Sequence, residues 1–126
     1  MSQKPLVLIA EDNELNLKLF SDLLEIRGID YIGISDGNKV LETARKTLPD
    51  LILMDIRLNG ISGLDIVDEI KSDKLLKDIP IIALTAFAMK NDKAKVINHG
   101  CAGYLAKPMT IDLFFETIDQ FIKGKP

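Results

Sequence analysis

The run Leu51-Ile52-Leu53-Met54, closed by Asp55, constrains this chain more than any other stretch. Four apolar residues in succession, bounded by polar turn residues, read as a strand buried on both faces, because a half-exposed strand would alternate. Such a strand needs a layer above it and a layer below it, which selects an α/β architecture. Asp55 then stands where the strand emerges at its carboxyl end, the edge at which open α/β sheets bind ligands. Taken alone, an Asp at that place is a turn cap. The other strand ends decide whether it is more.

The rest of the chain supplies the layers. Residues 5–10 (PLVLIA) form a first strand ending in Glu11-Asp12-Asn13, with Asn13 as N-cap of a helix over 14–27. Leu15, Leu19, Leu23 and Ile26, helped by Phe20 and Leu24, are expected to form its apolar stripe, and Gly28 to end it. Residues 30–34 give a weaker, alternating second strand. A second helix over 37–48, capped by Asp36, is expected to bury Val40, Leu41, Ala44 and Leu48 and to stop at Pro49. The stretch from Asp55 to Ser62 reads as an irregular loop. Asn59-Gly60 is a hairpin signal, but no strand alternation flanks it.

A third helix over 63–72 turns Leu64, Val67 and Ile70 inward, and a fourth strand over 80–84 ends in Thr85. The fourth helix, 89–98, has only a thin stripe of Ala94 and Ile97. The fifth strand, 103–106, runs into Lys107-Pro108. Thr110 then caps a last helix that is expected to bury Ile111, Phe114, Phe115, Ile118, Phe121 and Ile122 and to close at Gly124. Five strands alternating with five helices imply right-handed crossovers and a doubly wound parallel sheet. The flavodoxin-like order 2-1-3-4-5 places the topological switch point between strands one and three. Under it, Glu11 and Asp12 meet Asp55.

Bulk properties narrow the function classes. A chain of 126 residues suits one domain, with no output domain expected after the last helix. A net charge of −3 gives no general attraction to nucleic acid or to an anionic membrane. The single cysteine, Cys101, cannot form an internal disulfide, and the longest apolar run near the start is far too short for a signal peptide or a span. A cytoplasmic protein is expected.

Three carboxylates converging on one crevice repel one another, and a hard divalent cation relieves that repulsion. Mg²⁺ takes a few carboxylate oxygens, a backbone carbonyl and several waters, which leaves room for phosphate oxygens. The remaining strand ends bring a hydroxyl, Thr85, and a compact positive charge, Lys107. An acid nest, a hydroxyl and a lysine around one carboxylate suggest phosphoryl transfer onto that carboxylate, catalysed by positioning and charge neutralisation. Each piece alone is ordinary turn chemistry; their arrival at the matching strand ends is what is specific.

The segments IAEDN, LILMDIRL, PIIALTA and GYLAKP together resemble the receiver domains of two-component response regulators, over essentially the whole chain. That resemblance implies that Asp55 is the phosphoacceptor. Glu11, Asp12, Asp55 and the backbone carbonyl of Arg57 would hold Mg²⁺. Thr85 would bind a phosphoryl oxygen and move on activation, Lys107 would pair with the phosphoryl group, and the Lys107–Pro108 peptide bond would be cis. Tyr104 falls on the family's aromatic switch position. The phosphodonor would be a histidine kinase or a histidine phosphotransfer protein. Output would pass to a target protein through the face of the fourth helix, fifth strand and fifth helix. EDNELN and TAFAMK further resemble single-domain members that act in cell-cycle control. Departures are Glu11 where Asp is common and Asn59 where Pro often stands. Arg57 and Phe87 occupy positions that modulate acyl-phosphate hydrolysis, and their bulk is expected to prolong the phosphorylated state.

Rival readings lack their residues. A haloacid-dehalogenase-type phosphatase needs an Asp two residues after its nucleophile, where this chain has Arg57. A flavodoxin phosphate loop would be repelled by Glu11 and Asp12, and no Walker-type run exists. The chain is therefore not expected to be an enzyme acting on a separate substrate. A receiver-like binding module that works without phosphorylation is the alternative. His99, in the last turn of the fourth helix, is expected to serve the helix dipole. Cys101 is expected to be buried filler, and Lys90, Lys93 and Lys95 a solvated face.

Overall fold

A computed structural model describes residues 5–58, 61–85, 90–107 and 109–122. In chain order its elements are β1 (Leu6–Ala10), α1 (Glu14–Ile26), β2 (Asp30–Ile34), α2 (Val40–Thr47), β3 (Leu51–Asp55), β4 (Arg57–Leu58) and β5 (Ile61–Ser62). They continue with α3 (Gly63–Lys71), β6 (Ile81–Thr85), α4 (Lys90–Asn98), β7 (Gly103–Ala106) and α5 (Ile111–Phe121). The main sheet has the order β2-β1-β3-β6-β7, with every neighbouring pair parallel. Counting its five strands alone, this is the flavodoxin-like 2-1-3-4-5 order. No helix among the described residues is long and apolar enough to cross a membrane.

Strand alternation divides the core in two, because successive side chains point to opposite faces. Leu8, Ile52, Met54, Ile81 and Ala83 pack with Val40 and Ala44 of α2 and with Val67 and Ile70 of α3. Val7, Ile9, Leu53, Ile82 and Leu84 pack with Phe20 and Leu24 of α1 and with Phe114 and Ile118 of α5. On that second side the rings of Phe20 and Phe114 stack with centroids 5.5 Å apart. Arg27 lies over Phe115 at 4.2 Å and reaches Asp119 at 2.9 Å, so one guanidinium ties α1 to α5.

Several helix faces differ from expectation. On α1, Leu15 is 81% exposed and Ile26 73%, while Phe20, Leu23 and Leu24 seat the helix. The segment carries more apolar residues than one face holds. The aromatic stack on Phe114 fixes the rotation, leaving the Leu15–Leu19–Ile26 row about a third of a turn away from the core. Among the α4 residues whose burial is described, Val96 is buried and Ala94 and Ile97 are exposed. On α5, Phe114 and Ile118 are buried but Ile111 is exposed, and Phe115 and Phe121 are only partly covered. Gly124 lies outside the described residues.

The second helix also begins and ends differently. Gly37–Lys39 is a 3-10 turn capped by Asp36, and Leu48 leaves the helix in a left-handed conformation, φ 48° and ψ 65°, half exposed. Pro49 explains the departure: its ring disfavours a helical residue before it. Left-handed backbone costs a β-carbon-bearing residue about 1 kcal/mol, and an exposed Leu48 recovers little by packing. Leu48→Gly is accordingly expected to stabilise the fold by about 0.5–1 kcal/mol. A thermal midpoint equal to or below wild type would contradict this.

The stretch after Asp55 is not irregular. Arg57 pairs with Ser62 and Leu58 with Ile61 as an antiparallel ribbon, the arms of a hairpin that the Asn59-Gly60 signal had indicated. Each arm is two residues long, too short to show alternation in sequence. Leu58 is fully buried and supplies its apolar side. Asn59 and Gly60 themselves lie outside the described residues.

Candidate functional site

Alternation also aims the site. Val7, Ile9 and then Glu11 share one phase, as do Leu51, Leu53 and Asp55, and Leu105 and Lys107; the apolar members all face the α1–α5 side. Glu11 and Asp55 thus emerge beside each other from neighbouring strands β1 and β3. Lys107 arrives from β7 and reaches over β6 to both. Its Nζ lies 2.9 Å from Glu11 Oε2 and 3.0 Å from Asp55 Oδ2. Glu11 is wholly buried and Asp55 nearly so.

The backbone completes the arrangement. The Arg57 N–H donates to Asp55 Oδ1 at 2.9 Å and the Asn13 N–H to Glu11 Oε1 at 3.2 Å. The Lys107 N–H donates to the Thr85 carbonyl at 2.6 Å. One carboxylate oxygen each from Glu11, Asp12 and Asp55 lies within 4.8 Å of the others. Thr85 is buried, and its Oγ1 has no hydrogen-bond partner among the described residues, a polar atom that calls for one.

Burial pushes the Glu11 carboxyl above its usual range, partly offset by the Lys107 ammonium and reinforced by Asp55. Burial works against the Lys107 charge as well, but hydrogen bonds to Glu11 and Asp55 outweigh it and raise that pKa. The lysine therefore stays charged at neutral pH. One ammonium set against three clustered carboxylates leaves negative charge uncompensated. An all-oxygen donor set with excess negative charge fits a hard divalent cation.

The chain matches the response regulator receiver domain family over residues 7–119. It belongs to that family. The receiver domain is 47% identical over 116 residues to the polar-differentiation response regulator DivK of Brucella ovis, covering 92% of this chain and 94% of that protein. Among solved structures it is similar to a putative response regulator from Chloroflexus aurantiacus, with TM-score 0.89, 25% identity, and 94% and 98% of the two chains covered. It is also similar to the receiver domain of the sensor histidine kinase PA1611 from Pseudomonas aeruginosa, which has a magnesium ion coordinated in its active site cleft. There the TM-score is 0.86 at 29% identity, with 94% and 98% covered. Membership makes the receiver domain a phosphorylation-dependent signalling switch.

Other expected residues fall as follows. Tyr104 is half-buried opposite Ala83, packed on the α2–α3 core, and Thr85 follows Ala83 in the same phase, so both stand on one side of the sheet. Pro108 lies outside the described residues, and with it the expected Lys107–Pro108 geometry; so does Phe87. His99 does not merely serve a helix end. Its Nδ1 is 2.7 Å from Asp68 Oδ1, joining the end of α4 to α3, a pairing across 31 residues that no local pattern shows. Cys101 is buried, and burial pushes its thiol up to about 11, as suits inert filler. Sequence reasoning missed Gly63. A side chain there would meet the Asp55 carbonyl oxygen and lie 2.8 Å from Ile56 Cα. The one available signal was a glycine standing where a helix begins, directly after the loop that follows Asp55.

Proposed function

We propose that this receiver domain accepts a phosphoryl group on Asp55 from a phosphohistidine donor and signals through protein contacts. The observation that carries the reading is the Lys107 ammonium bridging Glu11 and Asp55, with Asp12 alongside, at the carboxyl edge of the sheet. An Asp55 carboxylate oxygen attacks phosphorus, the bond from phosphorus to the donor imidazole nitrogen breaks, and that nitrogen keeps the electron pair. Lys107 turns its charge to the incoming phosphoryl oxygens, and the Thr85 hydroxyl, which has no hydrogen-bond partner among the described residues, donates to one of them. Glu11, Asp12, Asp55 and the Arg57 carbonyl would hold Mg²⁺. When bound, the ion supplies charge neutralisation for the transferred group. The domain acts only on its own phosphoryl group.

Thr85 and Tyr104, on one side of the sheet, form the switch pair, and output passes to a target protein through the face of α4, β7 and α5. The relation to DivK supports a role in cell-cycle or developmental control, and with it a cytoplasmic location and a histidine kinase or histidine phosphotransfer protein as donor. Incubation with acetyl phosphate and Mg²⁺, followed by intact mass, tests the reading. Wild type that gains no phosphoryl mass overturns it.

A protein donor must also dock. Leu15 is 81% exposed on the first turn of α1, three residues after Asp12, so an apolar contact is offered at the rim of the acid site. Leu15→Asp is expected to slow transfer from a phosphohistidine protein by about tenfold, on the scale of a moderate interface contact. The rate with acetyl phosphate should stay at the wild-type value. Equal slowing with both donors would mean that Leu15 acts on the site rather than on docking.

A further inference from the structure

Three features converge on the short segment after the acceptor. The Gly63 N–H donates to the Ile56 carbonyl at 2.7 Å, so the first residue of α3 is stapled to the turn that follows β3. A β-carbon at Gly63 would fall against the Asp55 carbonyl oxygen, with Ile56 Cα only 2.8 Å away and the Asp55 carbonyl carbon 3.0 Å away. These neighbours are backbone atoms, which cannot swing aside as a flexible side chain would. Between the two ends of the staple, the Arg57–Ser62 and Leu58–Ile61 pairs close the ribbon, and the buried Leu58 anchors it in the core. The same turn carries the Arg57 N–H, which holds Asp55 Oδ1 at 2.9 Å.

We propose that Gly63 and Leu58 are positioning residues for phosphorylation: together they fix the path of residues 55–57 and so aim the Asp55 carboxylate and the Arg57 carbonyl. This rests on Asp55 being the acceptor. Leu58 holds the ribbon from the core side, and Gly63 lets α3 close down on the strand end with no side chain between them. Any side chain at 63 drives the strand end and the helix apart, and a displacement of about 1 Å in a reacting group is enough to cost about a hundredfold in rate. The effect is transmitted through backbone and appears before any phosphodonor binds.

The test compares wild type, Gly63→Ala, Leu58→Val and Val67→Ala, the last truncating a buried α3 side chain of the same core cluster as Leu58 that is not itself part of the ribbon. Two quantities are read: the rate of phosphoryl gain from acetyl phosphate per folded molecule, and the Arg57 amide resonance in the metal-free protein. Gly63→Ala is expected to shift the Arg57 amide and to slow phosphorylation by about a hundredfold. Leu58→Val should do the same to a smaller degree, and Val67→Ala should lower the melting midpoint with the wild-type amide and rate. If Gly63→Ala does not fold, Leu58→Val against Val67→Ala decides. A wild-type amide and rate in Gly63→Ala or Leu58→Val overturns the proposal, as does equal slowing in Val67→Ala. If wild type itself gains no phosphoryl mass, the acceptor reading has failed, and the metal-free Arg57 amide alone decides whether Gly63 sets the turn.

Discussion

Asp55→Asn is expected to gain no phosphoryl mass from acetyl phosphate and Mg²⁺ under conditions in which wild type gains one phosphoryl group. The reason is chemical rather than steric. An amide keeps the size and shape of the carboxylate and can still accept the Arg57 N–H that now holds Asp55 Oδ1 at 2.9 Å, but its oxygen is a far weaker nucleophile. Fold and burial should therefore survive, and a thermal melt checks that. The substitution also removes one of the two carboxylates bridged by Lys107, which leaves Glu11 to neutralise the ammonium by itself. If Asp55→Asn gains as much phosphoryl mass as wild type, the group goes elsewhere, and the convergence of Glu11, Lys107 and Asp55 must be a structural ion-pair network. A trace of phosphorylation at another carboxylate would be slower than wild type by orders of magnitude, because Asp55 is the carboxylate that the Arg57 N–H and the Lys107 ammonium together hold in place.

How far this was legible in the sequence depends on the kind of pattern involved. Strands covered on both faces announce themselves, because four apolar residues ending in a charge have few other homes; Leu51 to Asp55 and the sheet order followed from that. Glu11, Asp12 and Asp55 did converge, since parallel topology brings every strand's carboxyl end to one edge. What could not be read were choices among competing local signals. The α1 segment offers two apolar rows, and the row that faces inward is settled by the Phe20–Phe114 stack, a partner 94 residues away. The Asn-Gly hairpin was discounted for want of alternation, yet arms of two residues cannot alternate, and the buried Leu58 does the anchoring. Gly63 looked like a helix start and is instead where α3 meets the strand end without a side chain between them. Tertiary contact, not local propensity, decided each of these.

Lys107→Met is expected to destabilise the fold in a pH-dependent way. The ammonium lies 2.9 Å from Glu11 Oε2 and 3.0 Å from Asp55 Oδ2, and both carboxylates are buried. Removing it leaves two neighbouring carboxylates in a desolvated site with no cation between them. Breaking a buried pair in this way costs about 3 kcal/mol at neutral pH, on the order of 10 °C in melting midpoint for a chain of this length. The pH dependence follows from the direction of the Glu11 shift. Burial already raises its pKa, and Lys107 is the group that pulls it back. Without the lysine the folded-state value rises further, so the folded variant holds its proton more tightly than the unfolded chain does. The folded variant therefore loses stability as pH rises from about 4, where the unfolded carboxyl titrates. The deficit against wild type should be small in acid and largest at neutral pH. Mg²⁺ should return part of it at neutral pH, since a divalent cation can replace the missing charge among Glu11, Asp12 and Asp55. Melting curves of both proteins across pH, with and without Mg²⁺, decide the matter. A deficit that is the same in acid and at neutral pH, and unmoved by Mg²⁺, would mean that Lys107 contributes by packing its stem rather than by holding the carboxylates together.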